Sequence, residues 1–149
     1  MEEKTLTIDY MLRSTWQAVS KMYNEQAVEY GASMATGFTL LSIDPEEGSP
    51  STSLGPRMGV EATSLSRTLK SMEEKGLIIR KPNPKDGRGV LICLTNEGRA
   101  KREISKERVL KFNDTVRNSL SPQKIKHFYE VMETITELIN EKKIFQTEE

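Results

Sequence analysis

The chain has 149 residues, 36% of them hydrophobic, enough for one domain with its own core or for a compact module carrying long helices. Its 22 basic and 22 acidic residues cancel, and it holds one cysteine and one histidine. An intrachain disulfide and a His/Cys metal or haem-thioether cluster are thereby excluded. No run approaches the roughly 18 apolar residues of a membrane span, and the acidic start MEEKTLTIDY lacks a signal peptide's basic and apolar regions. No membrane partner and a cytoplasmic location are expected.

The zero net charge hides a segregation. Residues 57–111 hold 14 Lys/Arg against 7 Asp/Glu, a surplus of seven that the rest of the chain offsets. Such a basic middle suits a polyanion, and it equally suits a solvated helix surface.

From Thr5 to about Gly31, Ile8, Leu12, Trp16, Val19, Tyr23, Ala27 and Tyr30 recur at steps of three and four, which predicts one long helix ended by Gly31. A helix of about 27 residues reaches about 40 Å, more than a small domain needs to cover its core. A shorter helix is expected from about Met34, with Phe38, Leu41 and Ile43 inward and Pro45 as its stop. STSLGPRMG, 51–59, reads as a short helix opened by Ser51 or Thr52, its pattern weakened by Gly55 and Pro56.

In VEATSLSRTLKSMEEKG, Ala62, Leu65, Leu69 and Met72 fall on one face and leave Thr63, Ser66, Arg67 and Lys70 on the other, with Gly76 closing the helix. The runs 77–81 and 90–94 read as an antiparallel hairpin whose tip is PNPKDGRGV, 82–90. Thr95 caps a second long helix, and Ser121-Pro122 starts a last one on which Ile125, Phe128, Met132, Ile135 and Ile139 step by three and four as in a coiled-coil seam. The tail KKIFQTEE is expected to fray.

Two short helices, the second polar-faced, followed by a hairpin spell a helix-turn-helix with a wing. The helix from about Glu61 then lies in a DNA major groove while the hairpin tip reaches the neighbouring minor groove. There Arg88 is the inserted side chain, because a narrow A·T-rich groove concentrates negative potential. Asp86 accepts from a guanidinium and fixes the tip, although Asp86-Gly87 also fits an ordinary Asx turn.

The succession GVEATSLSRTLKSMEEKGLIIRKPNPKDGRGVLICLTNEG resembles the MarR family of winged-helix transcription regulators: E-K-G-L-I at the recognition helix end, then R-x-x-x-x-x-D-x-R, then L-T-x-x-G. The resemblance implies a mainly α fold with a small β-hairpin wing, a homodimer whose N- and C-terminal helices interdigitate, a palindromic operator, and repression until a ligand lowers DNA affinity. It also implies that Arg88 enters the minor groove with Asp86 as its organiser. Family members that sense peroxide carry their cysteine near the start of the first helix, where this chain has none; Cys93 instead reads as a small apolar strand residue.

These readings divide the chain into an N-terminal dimerisation helix, 1–33, a winged helix-turn-helix domain, 34–95, and C-terminal dimerisation helices, 96–149. The expected DNA contacts are Ser51, Thr52 and Ser53 at a helix start, with Thr63, Ser64, Ser66, Arg67 and Lys70 on the recognition helix, and Lys85, Asp86 and Arg88 on the wing. Arg67 suits a bidentate contact to guanine, or a phosphate if the helix sits shallow. Ile8, Leu12, Ile125, Phe128, Met132, Ile135 and Ile139 are expected in a dimer interface, since their stripes outrun a winged-helix core; an intrachain helical hairpin is the other way to cover them.

The expected partners are double-stranded DNA, a second copy of the chain and a small aromatic or amphipathic ligand. Trp16, Tyr23 and Tyr30 read as core, and His127 as a solvated residue or one at a dimer edge. No cofactor or metal is expected. No phosphate loop, nucleophile–histidine pair or metal constellation points to an enzyme. The competing function is a winged-helix protein adaptor without sequence-specific DNA binding.

Overall fold

A computed structural model of the chain describes residues 6–146. Its contacts divide the chain into two units, one running through Lys106 and one from Glu107 onward. The first unit holds α1 (Ile8–Val28), α2 (Met34–Ser42), β1 (Ser49–Pro50), α3 (Ser51–Met58), α4 (Ala62–Glu74), β2 (Ile78–Asn83) and β3 (Asp86–Leu94). The boundary falls inside α5 (Asn96–Ser119), and α6 (Pro122–Asn140) lies in the second unit. This is the mainly helical winged fold expected from the sequence.

The helices α1, α2, α5 and α6 each start where a side chain takes up an orphan amide. Thr7 accepts from the Tyr10 N–H at 3.3 Å, so α1 begins at Ile8; Thr5, its expected start, lies outside the described residues. Ser33 accepts from the Thr36 N–H at 3.2 Å, and Asn24 of α1 accepts from the Met34 N–H at 3.0 Å, tying the two helices together. Tyr23 and Phe38 meet edge to face at 5.5 Å between centroids. Ser121 caps α6 by accepting from the Lys124 N–H at 3.2 Å, with Pro122 as its first residue. The last three residues of the tail expected to fray lie outside the described residues.

The core sits between α2, α3, α4 and the sheet. Leu40 and Ile43, Leu54, then Leu65, Leu69 and Met72, then Leu77, Ile78, Ile92 and Leu94 form one buried cluster. Two expected faces turn out rotated or trimmed. On α2 the buried side chains are Thr36, Thr39 and Leu40, with Phe38 and Leu41 half-buried. Thr39 fits inside because its hydroxyl donates to the Ala35 carbonyl at 2.7 Å. On α4, Ala62 is exposed, because the first residue of the helix lies beyond the edge of the core.

The sheet orders β1-β3-β2, all antiparallel. The hairpin is longer than the sequence suggested: its strands run to Asn83 and from Asp86, leaving Pro84 and Lys85 to turn. Pro82 is tolerated because β2 is an edge strand, and the register slips beside it, between Pro82 and Asn83. The short β1 was not foreseen. It forms because Gly48, at φ +77°, lets the chain pass close against β3, where a Cβ would stand 2.7 Å from Cys93 Sγ and 2.8 Å from the Ile92 carbonyl oxygen.

Candidate nucleic-acid interface

The amphipathic pattern of α4 is realised with its two faces cleanly separated. Leu65, Leu69 and Met72 are buried, while Thr63, Ser64, Ser66, Arg67 and Lys70 are all exposed. Arg67 and Lys70 have no ion-pair partner among the described residues, which leaves both cations open to an external anion. Glu61, at the N-cap, makes no capping bond, so the first amides of α4 are not taken up by their own cap.

α3 supplies a second helix start beside it. Its N-cap is Pro50, with no side-chain cap, rather than Ser51 or Thr52. Thr52 is exposed, Ser51 and Ser53 are half-buried, and the Ser53 hydroxyl already donates to the Pro50 carbonyl at 2.7 Å. Ser51 and Thr52 therefore offer the freer hydroxyls at a helix end that favours anions. The helix runs through Gly55 and Pro56; Gly55 is buried, and its carbonyl accepts from the Val60 N–H at 3.1 Å, which closes the turn into α4.

Between α3 and α4 lies a cleft of about 520 Å³ lined by Ser51, Thr52, Glu61, Ala62, Ser66 and Arg80, among others. Arg80, on β2, pairs with Glu73 at 3.2 Å. Both are well exposed, so the pair contributes at most about 1 kcal/mol. Arg57 is committed elsewhere, its guanidinium donating to the Ser42 carbonyl at 2.7 Å.

At the wing tip Asp86 has a different partner from the one expected. Its Oδ1 accepts from the backbone N–H of Arg88 at 3.1 Å, and no ion pair with a guanidinium occurs among the described residues. The carboxylate shapes the tip through the main chain, as in an Asx turn, and leaves the Arg88 side chain exposed. Asn83 does the same one turn earlier, accepting from the Lys85 N–H at 3.1 Å. Lys85, Asp86 and Arg88 are all exposed.

The expected dimerisation residues present apolar surface in both units. On α1, Ile8 is 68% exposed and Leu12 half-buried, and Trp16, which read as core, is 54% exposed. On α6, Phe128 is 52% and Ile139 59% exposed, with Ile125, Met132 and Ile135 half-buried. Cys93 is half-buried in β3, and His127 is exposed, 3.2 Å from Gln123.

Two contributions escaped the sequence reading. Arg80 stood only as the first residue of R-x-x-x-x-x-D-x-R, with no role of its own, since nothing in the linear pattern brings it to the cleft. The Gly of L-T-x-x-G, Gly98, is pressed against the Leu77 carbonyl, where a Cβ would lie 2.0 Å from the oxygen; a Gly inside the first turn of a helix was the available signal.

The sequence model of the MarR family matches residues 33–90. Over this segment the chain is similar to the MarR family. The MarR segment runs from the cap of α2 to β3 and so contains α3, α4 and the wing tip. The resemblance carried by E-K-G-L-I and D-x-R is thereby borne out.

Among relatives, the transcriptional regulator SarZ of Staphylococcus aureus is 29% identical over 97 residues, 64% of this chain and 66% of SarZ. The alignments span 53% and 66% of the lengths of the curated relatives matched first. The Staphylococcus aureus MepR–DNA complex superposes with a TM-score of 0.80 at 18% identity, covering 90% of this chain and 98% of MepR. CouR of Rhodococcus jostii RHA1, bound to p-coumaroyl-CoA, gives 0.78 at 21% identity over the whole of both chains. These likenesses establish the winged fold, and the MarR family and the relatives matched are transcriptional regulators, not enzymes.

Proposed function

We propose that the protein is a transcriptional regulator that binds a palindromic operator as a homodimer, with α4 in the major groove and Arg88 in the flanking minor groove. It acts as a repressor in the cytoplasm, released when a small aromatic or amphipathic ligand lowers its affinity for DNA. The observation that carries this reading is the division of α4: every apolar residue from Leu65 onward is buried, and every expected contact residue is exposed. Hydroxyls and bases on one face suit phosphate oxygens and base edges. An adaptor would present apolar anchors on that helix.

Three further facts support the details. The tip main chain is held by Asp86, so Arg88 is presented without being tied up. The exposed apolar residues of α1 and of α6 suit burial against a second chain. MepR has been solved with DNA and CouR with a coenzyme A thioester, which supports DNA and ligand as partners here.

Selection from a random duplex pool at near-physiological salt tests the reading. Enrichment of an inverted repeat with A·T-rich flanks, its half-sites about one helical turn apart, is expected. Weak, salt-sensitive retention with no enriched sequence would replace the regulator with the adaptor.

A further inference from the structure

The C-terminus of α4 and the N-terminus of α5 meet in a joint built on two residues. At the end of α4 the chain reverses through Gly76, at φ +73°, with the Gly76 N–H donating to the Glu73 carbonyl at 3.0 Å and the Leu77 N–H to the Met72 carbonyl at 2.9 Å. The carbonyls of Gly76 and Leu77 are then both engaged by Thr95. Its hydroxyl donates to Gly76 at 2.5 Å and its N–H donates to Leu77 at 3.1 Å. The same hydroxyl accepts from the Gly98 N–H at 3.0 Å and so caps α5.

One side chain thus ties off one helix and starts another. Gly98 seals the contact, because a Cβ there would lie 2.0 Å from the Leu77 oxygen, a main-chain atom that cannot swing aside. Nearby, the same stretch of α5 holds the end of α1, with Lys101 Nζ donating to the Tyr30 carbonyl at 3.2 Å. It also abuts α2, where a Cβ on Gly37 would lie 3.2 Å from Ser105 Oγ. The first turns of α5 are a strut common to α1, α2 and α4.

We propose that Thr95 and Gly98 are positioning residues for DNA recognition: they fix the direction of α4 on α5, and so set the half-site spacing the dimer accepts without touching DNA. The proposal rests on the regulator reading above. Its magnitude follows from leverage. The base-reading end of a recognition helix is its N-terminal end, and in α4 that end is the one remote from the joint. A helix of 13 residues is about 20 Å long. A tilt of about 10° at one end moves the other by about 3 to 4 Å, close to one base-pair step.

The test compares wild type with Thr95→Val, which keeps the β-branched shape and removes both hydroxyl bonds, and with Thr95→Ser, which restores the hydroxyl. Affinity is measured at fixed salt for the selected inverted repeat, for the same repeat with one base pair added or removed between half-sites, and for a single half-site. Circular dichroism first establishes that each variant is folded.

Thr95→Val is expected to bind the preferred repeat about tenfold more weakly, with its preference among spacings flattened and its half-site affinity unchanged. Thr95→Ser is expected to behave as wild type. An unaltered spacing profile in Thr95→Val, or a half-site loss equal to the full-site loss, overturns the proposal. A wild type that selects no sequence defeats the regulator reading instead. In that case hydrogen exchange still judges the joint: Thr95→Val must deprotect the Leu77 and Gly98 amides together, and unchanged protection overturns it.

Discussion

The lobe built from α2, α3, α4 and the sheet holds ten buried apolar side chains, whereas α1, with 21 residues, and α6, with 19, contain no buried residue. Both regions carry apolar residues at helical spacing, so pattern alone does not distinguish them. What differs is the partner. The lobe's stripes face one another inside one chain, while those of α1 and α6 leave Ile8, Trp16, Phe128 and Ile139 more than half exposed. Apolar surface of this kind suits burial against a second copy, as proposed above.

The largest expected effect breaks the comparison on the helix side. Phe128→Glu combined with Ile139→Glu places two charges on already exposed positions of α6, and should weaken a dimer by at least about a hundredfold while leaving the lobe folded. Sedimentation velocity at micromolar protein reads it. A wild type that runs as a monomer there would mean the stripes are not interchain surface at all.

On the lobe side, Met72→Ala should destabilise by about 2 to 5 kcal/mol, because the side chain is 0% exposed and leaves a cavity on truncation. Chemical denaturation measures it. A loss under about 1 kcal/mol would deny the lobe a tightly packed core of its own.

How much of this was legible follows the same division. The buried face of α4 and the caps at Ser121 and Thr95 were readable because local pattern and chemistry suffice for them. The extent of the hairpin was not: Pro82, Pro84, Gly87 and Gly89 read as loop, yet an edge strand has no neighbour demanding the missing N–H, so pairing continued to Asn83. Ala62 was misassigned because periodicity does not say where a core ends. Asp86 kept its organising place but works through the Arg88 amide, a choice between two acceptor uses that spacing leaves open. Arg80 and Gly98 matter through contacts with Glu73 and Leu77 that only the folded chain brings about.

Within the proposed interface, Arg67→Ala and Arg88→Ala should each cost about 1 to 3 kcal/mol of binding, and they should differ in kind. The first should relax preference at one base pair of each half-site; equal loss on every sequence would make Arg67 a phosphate contact. The second should erase preference for the A·T-rich flanks, and Arg88→Lys should not restore it, because an ammonium keeps its hydration where a guanidinium sheds it. Competition binding against altered half-sites and altered flanks separates the two.

The smallest effect concerns Asp44, in the turn that leads into the lobe's shortest strand. Its carboxylate accepts from the Glu47 N–H at 3.0 Å and the Glu46 N–H at 2.9 Å, and its own N–H donates to the buried Ser49 hydroxyl at 2.9 Å. The Glu47 bond, then the Glu46 bond, hold the carboxyl below its ordinary value, helped by the charges of Arg102 and Arg57. A carboxyl depressed in the folded state stabilises fully above its unfolded value, about 4, and loses that contribution as pH falls through the folded value. Thermal unfolding of wild type and Asp44→Asn should therefore diverge at about pH 6, above the unfolded value, and converge as pH falls through the lowered folded value. A gap independent of pH would assign the stabilisation to the shape of the turn and not to the charge, since Asn keeps an acceptor at the same place.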